Sequence, residues 1–449
     1  MAGKQKRVTP EDPRPPAGQG DGPRAIKRYT RAIDAFTDSL ALRPDDIPTL
    51  NARGATFALM RRLDDALADF NRSLELDPGQ PDALNDRGIL LLRSGRIDES
   101  LADFERALGT RPDDPRTLHN KGTALHALGR FQDGLDAFDR SLELRPGHPR
   151  TLNARGVTLL ALGRHEEALA DFDGSLAAGA DPEALRNRAE CLSQMGRHGD
   201  ALADLNRVIR AVTPDHVVLG SRALILAQMG RDEEALADFN RAISLSGQDA
   251  PTLNNRGVVQ SKLGRHAEAI ADFTASLSLS PPNPDVLRNR AEAYEAIGTL
   301  GDALADLTRA VELRPNNPEI LARRGLVLAK SGRLESAIAA LNRSLELQPD
   351  HPSRLQDRGI VLGRLGRHRQ ALADFDRALE LTPDVPALIY NRACALSLIG
   401  RKEEALHEIR RAISIDADYR EMAAEDEDFG NVRADARLGP RFSQIVGRA

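Results

Sequence analysis

From Ile47 onward the apolar residues recur at two periods: every three to four residues within short segments, and every 34 residues along the chain. Residues 47–80 read IPTLNARGATFALMRRLDDALADFNRSLELDPGQ, and 81–114 return the same skeleton as PDALNDRGILLLRSGRIDESLADFERALGTRPDD. Eleven such copies run to Tyr419, the fourth one residue short. With each copy numbered 1 to 34, large apolar residues fall at positions 4, 11, 24 and 28 and small ones at 8, 20 and 27. Positions 4, 8 and 11 share one helix face, as do 20, 24, 27 and 28. Each copy therefore predicts two amphipathic helices meeting along a seam of small residues. Phe at position 24, as in Phe70, Phe104, Phe138, Phe172, Phe239, Phe273 and Phe375, is expected to fill the room left by residues such as Gly54, Gly88, Gly122 and Gly156 at position 8.

The limits of these helices are marked as clearly as their faces. Pro at position 1 (Pro81, Pro115, Pro149) suits a first helical turn, where its missing N–H is no loss. Gly at position 15 (Gly95, Gly129, Gly163) can adopt the left-handed conformation that ends a helix, and Pro at 32 (Pro78, Pro112, Pro146) stops the second one. Each copy is then an antiparallel helical hairpin. A unit this short cannot bury its own apolar face, so the copies must stack into a solenoid. Between Asp173 and Asp249 the pattern falters, since the fourth copy is short and Gly247 replaces the stop proline. An irregular stretch is expected there.

These features closely resemble the tetratricopeptide repeat family, which has small residues at 8, 20 and 27, Gly at 15 and Pro at 32. The resemblance covers 47–419. It implies an all-α fold, a right-handed α-solenoid or superhelix of antiparallel helix pairs. Residues 1–23, dominated by Pro, Gly and charge, read as a disordered tail. Residues 24–43, with Ala32, Phe36, Ser39 and Leu40 at positions 20, 24, 27 and 28, read as the second helix of a half repeat that caps the N-terminus. Residues 420–449 read as a C-terminal cap, with Leu438, Phe442, Ile445 and Val446 on a short amphipathic helix. The acidic run Glu425 to Asp428 is taken as a solvated helix end in preference to a recruiting peptide.

Composition narrows the function. A net charge of −5 with both signs interspersed gives no support to a nucleic-acid or anionic-membrane partner. Residues 1–23 lack the apolar core of a secretory signal, and a cytoplasmic setting is expected. Cys191 and Cys394 lie six repeats apart, too far for a disulfide in an array of nearest-neighbour contacts. No HExxH, CxxC, P-loop or Rossmann glycine pattern appears, so no catalysis, cofactor or metal is expected. His165, His198, His266 and His368 all fall at position 17 and read as residues lining the turn between the helices.

Two sets of polar residues recur. Position 7 is basic in all eleven copies, and position 23 is acidic in nine. A phosphate-binding ladder is one reading. The co-occurrence of the two charges favours the other, structural ion pairs within each hairpin, such as Arg53 with Asp69, Arg155 with Asp171 and Arg256 with Asp272. Asn is enriched at position 5 (Asn51, Asn85, Asn153, Asn254) and position 6 (Asn120, Asn187, Asn255, Asn289, Asn391). The family resemblance places these positions in a concave groove lined by the first helices. There a row of amides can hold the backbone of an extended peptide; a preference for Asn in the first helical turn is the competing reading. The resemblance thus implies a non-enzymatic scaffold for proteins or peptides, of open oligomeric state, with a helical-repeat RNA binder as the alternative.

Overall fold

The computed structural model describes residues 23–447, and every element among them is helical. The tail expected over 1–23 thus lies outside the described residues, except for Pro23, which opens the first helix. Each of the ten copies that lie within one unit, all but the sixth, forms a hairpin. In the second, Pro81–Arg93 is followed by Ile97–Thr110. First helices begin on capping side chains: Asp46, Asp114 and Asp181 accept hydrogen bonds from backbone N–H groups of the opening turn. They end at the position-15 glycines, whose φ values run from +73° to +86°. The first repeat has no such glycine, and Arg61 adopts φ +59° in its place.

The seam inside each hairpin is a size match between positions 8 and 24. A Cβ added at Gly88, Gly122, Gly156, Gly257 or Gly359 would lie 2.5–2.8 Å from the ring facing it, Phe104, Phe138, Phe172, Phe273 or Phe375. In repeats five, eight and eleven position 8 carries a methyl, as Ala189, Ala291 and Ala393, and position 24 is the smaller Leu205, Leu307 or Ile409, all six buried; repeat six departs from this with Ala223 and Phe239. Position 20 is Ala in most repeats and fully covered, as in Ala66, Ala168, Ala201, Ala303 and Ala405. These choices let the two backbones approach closely at native packing density.

The chain divides into two compact units, the first ending at Gly230 and the second beginning at Arg231. Within each unit the second helix of one repeat packs on the first helix of the next, and successive first helices also touch. The boundary falls inside the sixth repeat, within the stretch 173–249 where the repeat pattern falters. In that stretch the second helix of repeat four stops at Ala177 before Gly179 at φ +152°, and that of repeat six stops at Gly247, φ +80°.

Both ends are capped. Helix Pro23–Leu42 packs on Ile47–Leu59 and buries Ile33 and Leu40. After Tyr419 come Tyr419–Glu425, a 3-10 turn at Glu427–Phe429, Gly430–Arg433 and Gly439–Ile445. Phe429, Leu438 and Phe442 are at most 1% exposed, so this segment has a small core of its own.

Candidate functional site

The position-7 arginines are bound in place by carboxylates. In seven repeats Nε and Nη2 donate in parallel to the two oxygens of the position-23 aspartate at 2.6–2.8 Å: Arg53 to Asp69, Arg87 to Asp103, Arg155 to Asp171, Arg188 to Asp204, Arg256 to Asp272, Arg290 to Asp306 and Arg358 to Asp374. Arg392 meets Glu408 at 3.2 Å. The aspartates are nearly covered, Asp171 keeping 7% of its side-chain exposure while Arg155 keeps 27%. The hydrogen bonds that Arg155 donates to Asp171 are the main reason its guanidinium is held above its ordinary pKa. With both fork nitrogens committed, these arginines are structural and do not form a phosphate ladder.

A second role went unread in the sequence. The remaining Nη1 reaches back to position 25 of the preceding repeat: Arg87 to Asn71 at 2.8 Å, Arg155 to Asp139 at 2.6 Å, Arg256 to Asn240 at 2.7 Å and Arg290 to Thr274 at 2.9 Å. Lys121, which faces Ala137 in its own repeat, binds Glu105 of the preceding one at 3.3 Å. Arg87, Arg155, Arg256 and Arg290 therefore each tie a hairpin together and staple it to its neighbour, whereas Lys121 makes only the second link. The signal was present as a recurrent Asn, Asp, Glu or Thr at position 25, but its partner lies a repeat away.

The asparagines also bond mainly to one another. Asn120 Nδ2 donates to Asn85 Oδ1 at 2.9 Å, Asn187 to Asn153 at 3.0 Å and Asn289 to Asn254 at 3.2 Å. Asn51 donates to Gln80 at 2.7 Å. Asn85, Asn120, Asn153 and Asn187 are 0–8% exposed. This corrects the expectation that the amides lie open to a ligand. Position 5 of one first helix faces position 6 of the next, so a donor and an acceptor meet across the repeat interface and leave little for a peptide. Asn255 and Asn391 have no such mate, because position 5 of the preceding repeat is Gly220 or Gln356.

This first-helix face is not equally open along the chain, and in the first unit Leu224 of repeat six is 43% exposed. In repeats three and four it is closed, with Thr123, His126, Ala154, Val157 and Leu160 all buried. In the second unit Glu292 is exposed and Arg323, Leu326, Asp357, Asn391 and Cys394 are half-buried. Ile360 and Leu398 are each 40% exposed, and a Cβ at Gly363 would meet nothing within 4 Å. Three cations of this face are matched by carboxylates: Arg323 and Lys330 converge on Glu295 at 2.8 and 2.5 Å, and Arg288 lies 3.5 Å from Glu319. Asp357 forms no ion pair or hydrogen bond among the described residues. Burial pushes its carboxyl above the usual range, against the pull of Arg323 and Arg354.

At the end of this face the C-terminal cap is clasped. Asp426 accepts from Tyr390 Oη at 2.7 Å and, through its other oxygen, from the backbone N–H of Asp428 at 2.9 Å. Ser397 donates to the Asp428 carbonyl at 2.6 Å, and Asn431 donates to the Ser397 carbonyl at 2.5 Å. The acidic run is therefore partly a docking element, which corrects its reading as a solvated helix end. Ligand atoms of Cys394, Asp426 and Asp428 lie within 4.8 Å of one another. Burial, followed by the two carboxylates, raises the Cys394 thiol far above its ordinary pKa, so it stays protonated and donates to Asp426. Protein hydrogen bonds account for this cluster.

No helix among the described residues is long and apolar enough to cross a membrane. A sequence profile of the tetratricopeptide repeat matches residues 187–251, 254–318, 288–352 and 357–420. Two further profiles of the same repeat match 60–119 and 325–386, and 113–179. No curated protein matches the sequence. Among solved structures, a tetratricopeptide repeat protein from Parabacteroides merdae is 20% identical, with 55% of this chain and 98% of that chain covered and a TM-score of 0.45. Yeast Tom70 is 16% identical, covers 89% of this chain and 99% of its own, and gives a TM-score of 0.43. The Cut9-Hcn1 hetero-tetramer gives 11% identity, 94% and 93% coverage and a TM-score of 0.47.

Proposed function

Because the chain belongs to the tetratricopeptide repeat family, we propose that it is a non-enzymatic scaffold that binds extended segments of partner proteins along the first-helix face of its second unit. The observation that carries this reading is the coincidence on one face of exposed Ile360 and Leu398 with the unpaired polar groups of Asp357 and Asn391. Apolar side chains next to available hydrogen-bonding groups suit an extended segment, whose side chains alternate with its backbone amides. The equivalent positions of repeats three and four are buried and offer little. An RNA-binding role is not supported by this face, because Arg288, Arg323 and Lys330 are already matched by carboxylates.

The test is selection of a random peptide display library on the full chain, followed by affinity measurement on the enriched peptides. Ile360→Glu together with Leu398→Glu is expected to weaken binding at least ~10-fold, equivalent to ~1.4 kcal/mol, with an unchanged melting temperature. Arg241→Glu on a second helix should have no effect. If the Ile360/Leu398 variant binds as the parent does, the proposed face is wrong. If only RNA is retained, with affinity falling steeply as salt rises, the scaffold reading itself fails.

A further inference from the structure

Asp357, Ile360 and Gly363 follow one another at three-residue spacing on the first helix of repeat ten and so share one face. Ile360 is 40% exposed, and the space over Gly363 is open, since an added Cβ would meet nothing within 4 Å. Asp357 has no hydrogen bond or ion pair among the described residues, yet neither of its carboxylate oxygens is shut off from solvent. Arg323 and Arg354 are the guanidiniums whose charge reaches it. Neither pairs with it: Arg323 is held by Glu295 at 2.8 Å, and Arg354 is buried and donates to Gln348. Arg364, further along the helix, turns back to the Ala329 carbonyl at 3.0 Å. The same face of repeat eleven carries Asn391, Cys394 and Leu398 and no cation. Next to Cys394 the cap adds Asp426 and Asp428, neither of them in an ion pair among the described residues. From Asp357 to the cap the face is thus apolar and anionic.

We infer that the partner segment presents an arginine or lysine here, its charged end bound by Asp357 and its aliphatic stem lying on Ile360. These two side chains are apolar along the stem and cationic at the tip, so one residue meets both demands of the face. The backbone of the segment crosses over Gly363, where there is room for it. From there to Asp357 the helix rises about 9 Å, a span that a long side chain and one hydrogen bond cover. A charge-assisted hydrogen bond to a carboxylate is about twice as strong as a neutral one, so a glutamine at the same place fits less well. An acidic segment would bring further carboxylates to a stretch that already holds Asp357, Asp426 and Asp428 without an ion pair. The inference rests on the binding face proposed above and adds the chemistry of what that face takes.

The experiment is selection of one random peptide display library in parallel on the full chain and on Asp357→Asn, a change of equal size at a side chain that holds no other residue. Peptides enriched on the full chain should carry Arg or Lys beside apolar residues. Those enriched on Asp357→Asn should keep the apolar residues and lose the basic one. For the most enriched peptide, replacing its basic residue by Gln is expected to weaken binding to the full chain at least ~10-fold and to leave binding to Asp357→Asn unchanged. Enrichment of acidic or uncharged peptides on the full chain, or an equal loss on both proteins, would overturn the inference and leave the binding face standing. If Ile360→Glu with Leu398→Glu binds the enriched peptide as the parent does, or if no peptide is enriched, the face itself fails and the inference falls with it.

Discussion

At Gly156 a single methyl decides whether a hairpin closes, because an added Cβ would lie 2.8 Å from the Phe172 ring. Gly156→Ala is therefore expected to destabilise by ~1–3 kcal/mol through overpacking, and Phe172→Leu in the same chain should recover part of the loss, since Ala189 and Leu205 already coexist in this way. Urea unfolding of the single and double variants checks this. At the ion pair, Arg155→Ala would leave Asp171 buried without its cation, and a loss of about 2 kcal/mol or more is expected in the same measurement. The pair was legible because position 23 is acidic in nine of the eleven copies that carry a cation at position 7 along one chain. The roles of Asn85 and Asn120 were legible only in part. Their enrichment was plain, but their bond crosses a repeat boundary, and a single copy read alone suggested free amides.

The elements themselves were almost fully marked in the sequence, since proline, glycine and capping aspartates fix where each helix begins and ends. The exception is informative. Arg61 holds a left-handed conformation that glycine occupies in the other repeats, so Arg61→Gly should stabilise the first hairpin, by about 0.5–1 kcal/mol, as thermal unfolding would show. Between elements, Asn120→Ala removes the donor that satisfies Asn85 Oδ1 at a fully buried site, and a lower melting temperature is expected. An unchanged value would mean that the amide bond contributes nothing to the stacking of repeats two and three. The docking of the acidic run could not be read this way, because the contact of Tyr390 with Asp426 depends on a chain reversal after Tyr419 that no repeat signal announces.

At the scale of the whole molecule, the sequence announced a continuous array and a faltering pattern over 173–249; the division into two compact units at Gly230 and Arg231 falls within that stretch. Which repeats offer an open first-helix face was not legible. The same register positions carry Ala154 and Val157 in repeat four and Asp357 and Ile360 in repeat ten, and exposure depends on how the next repeat covers them. The most direct measurement is site-specific photo-crosslinking in the full chain, with benzoylphenylalanine at position 360 or, on a second helix, at position 241, using a peptide selected on the unmodified protein. Adducts at 360 and none at 241 are predicted. Adducts at 241 with none at 360 would place the partner on the second helices and contradict the proposed binding face.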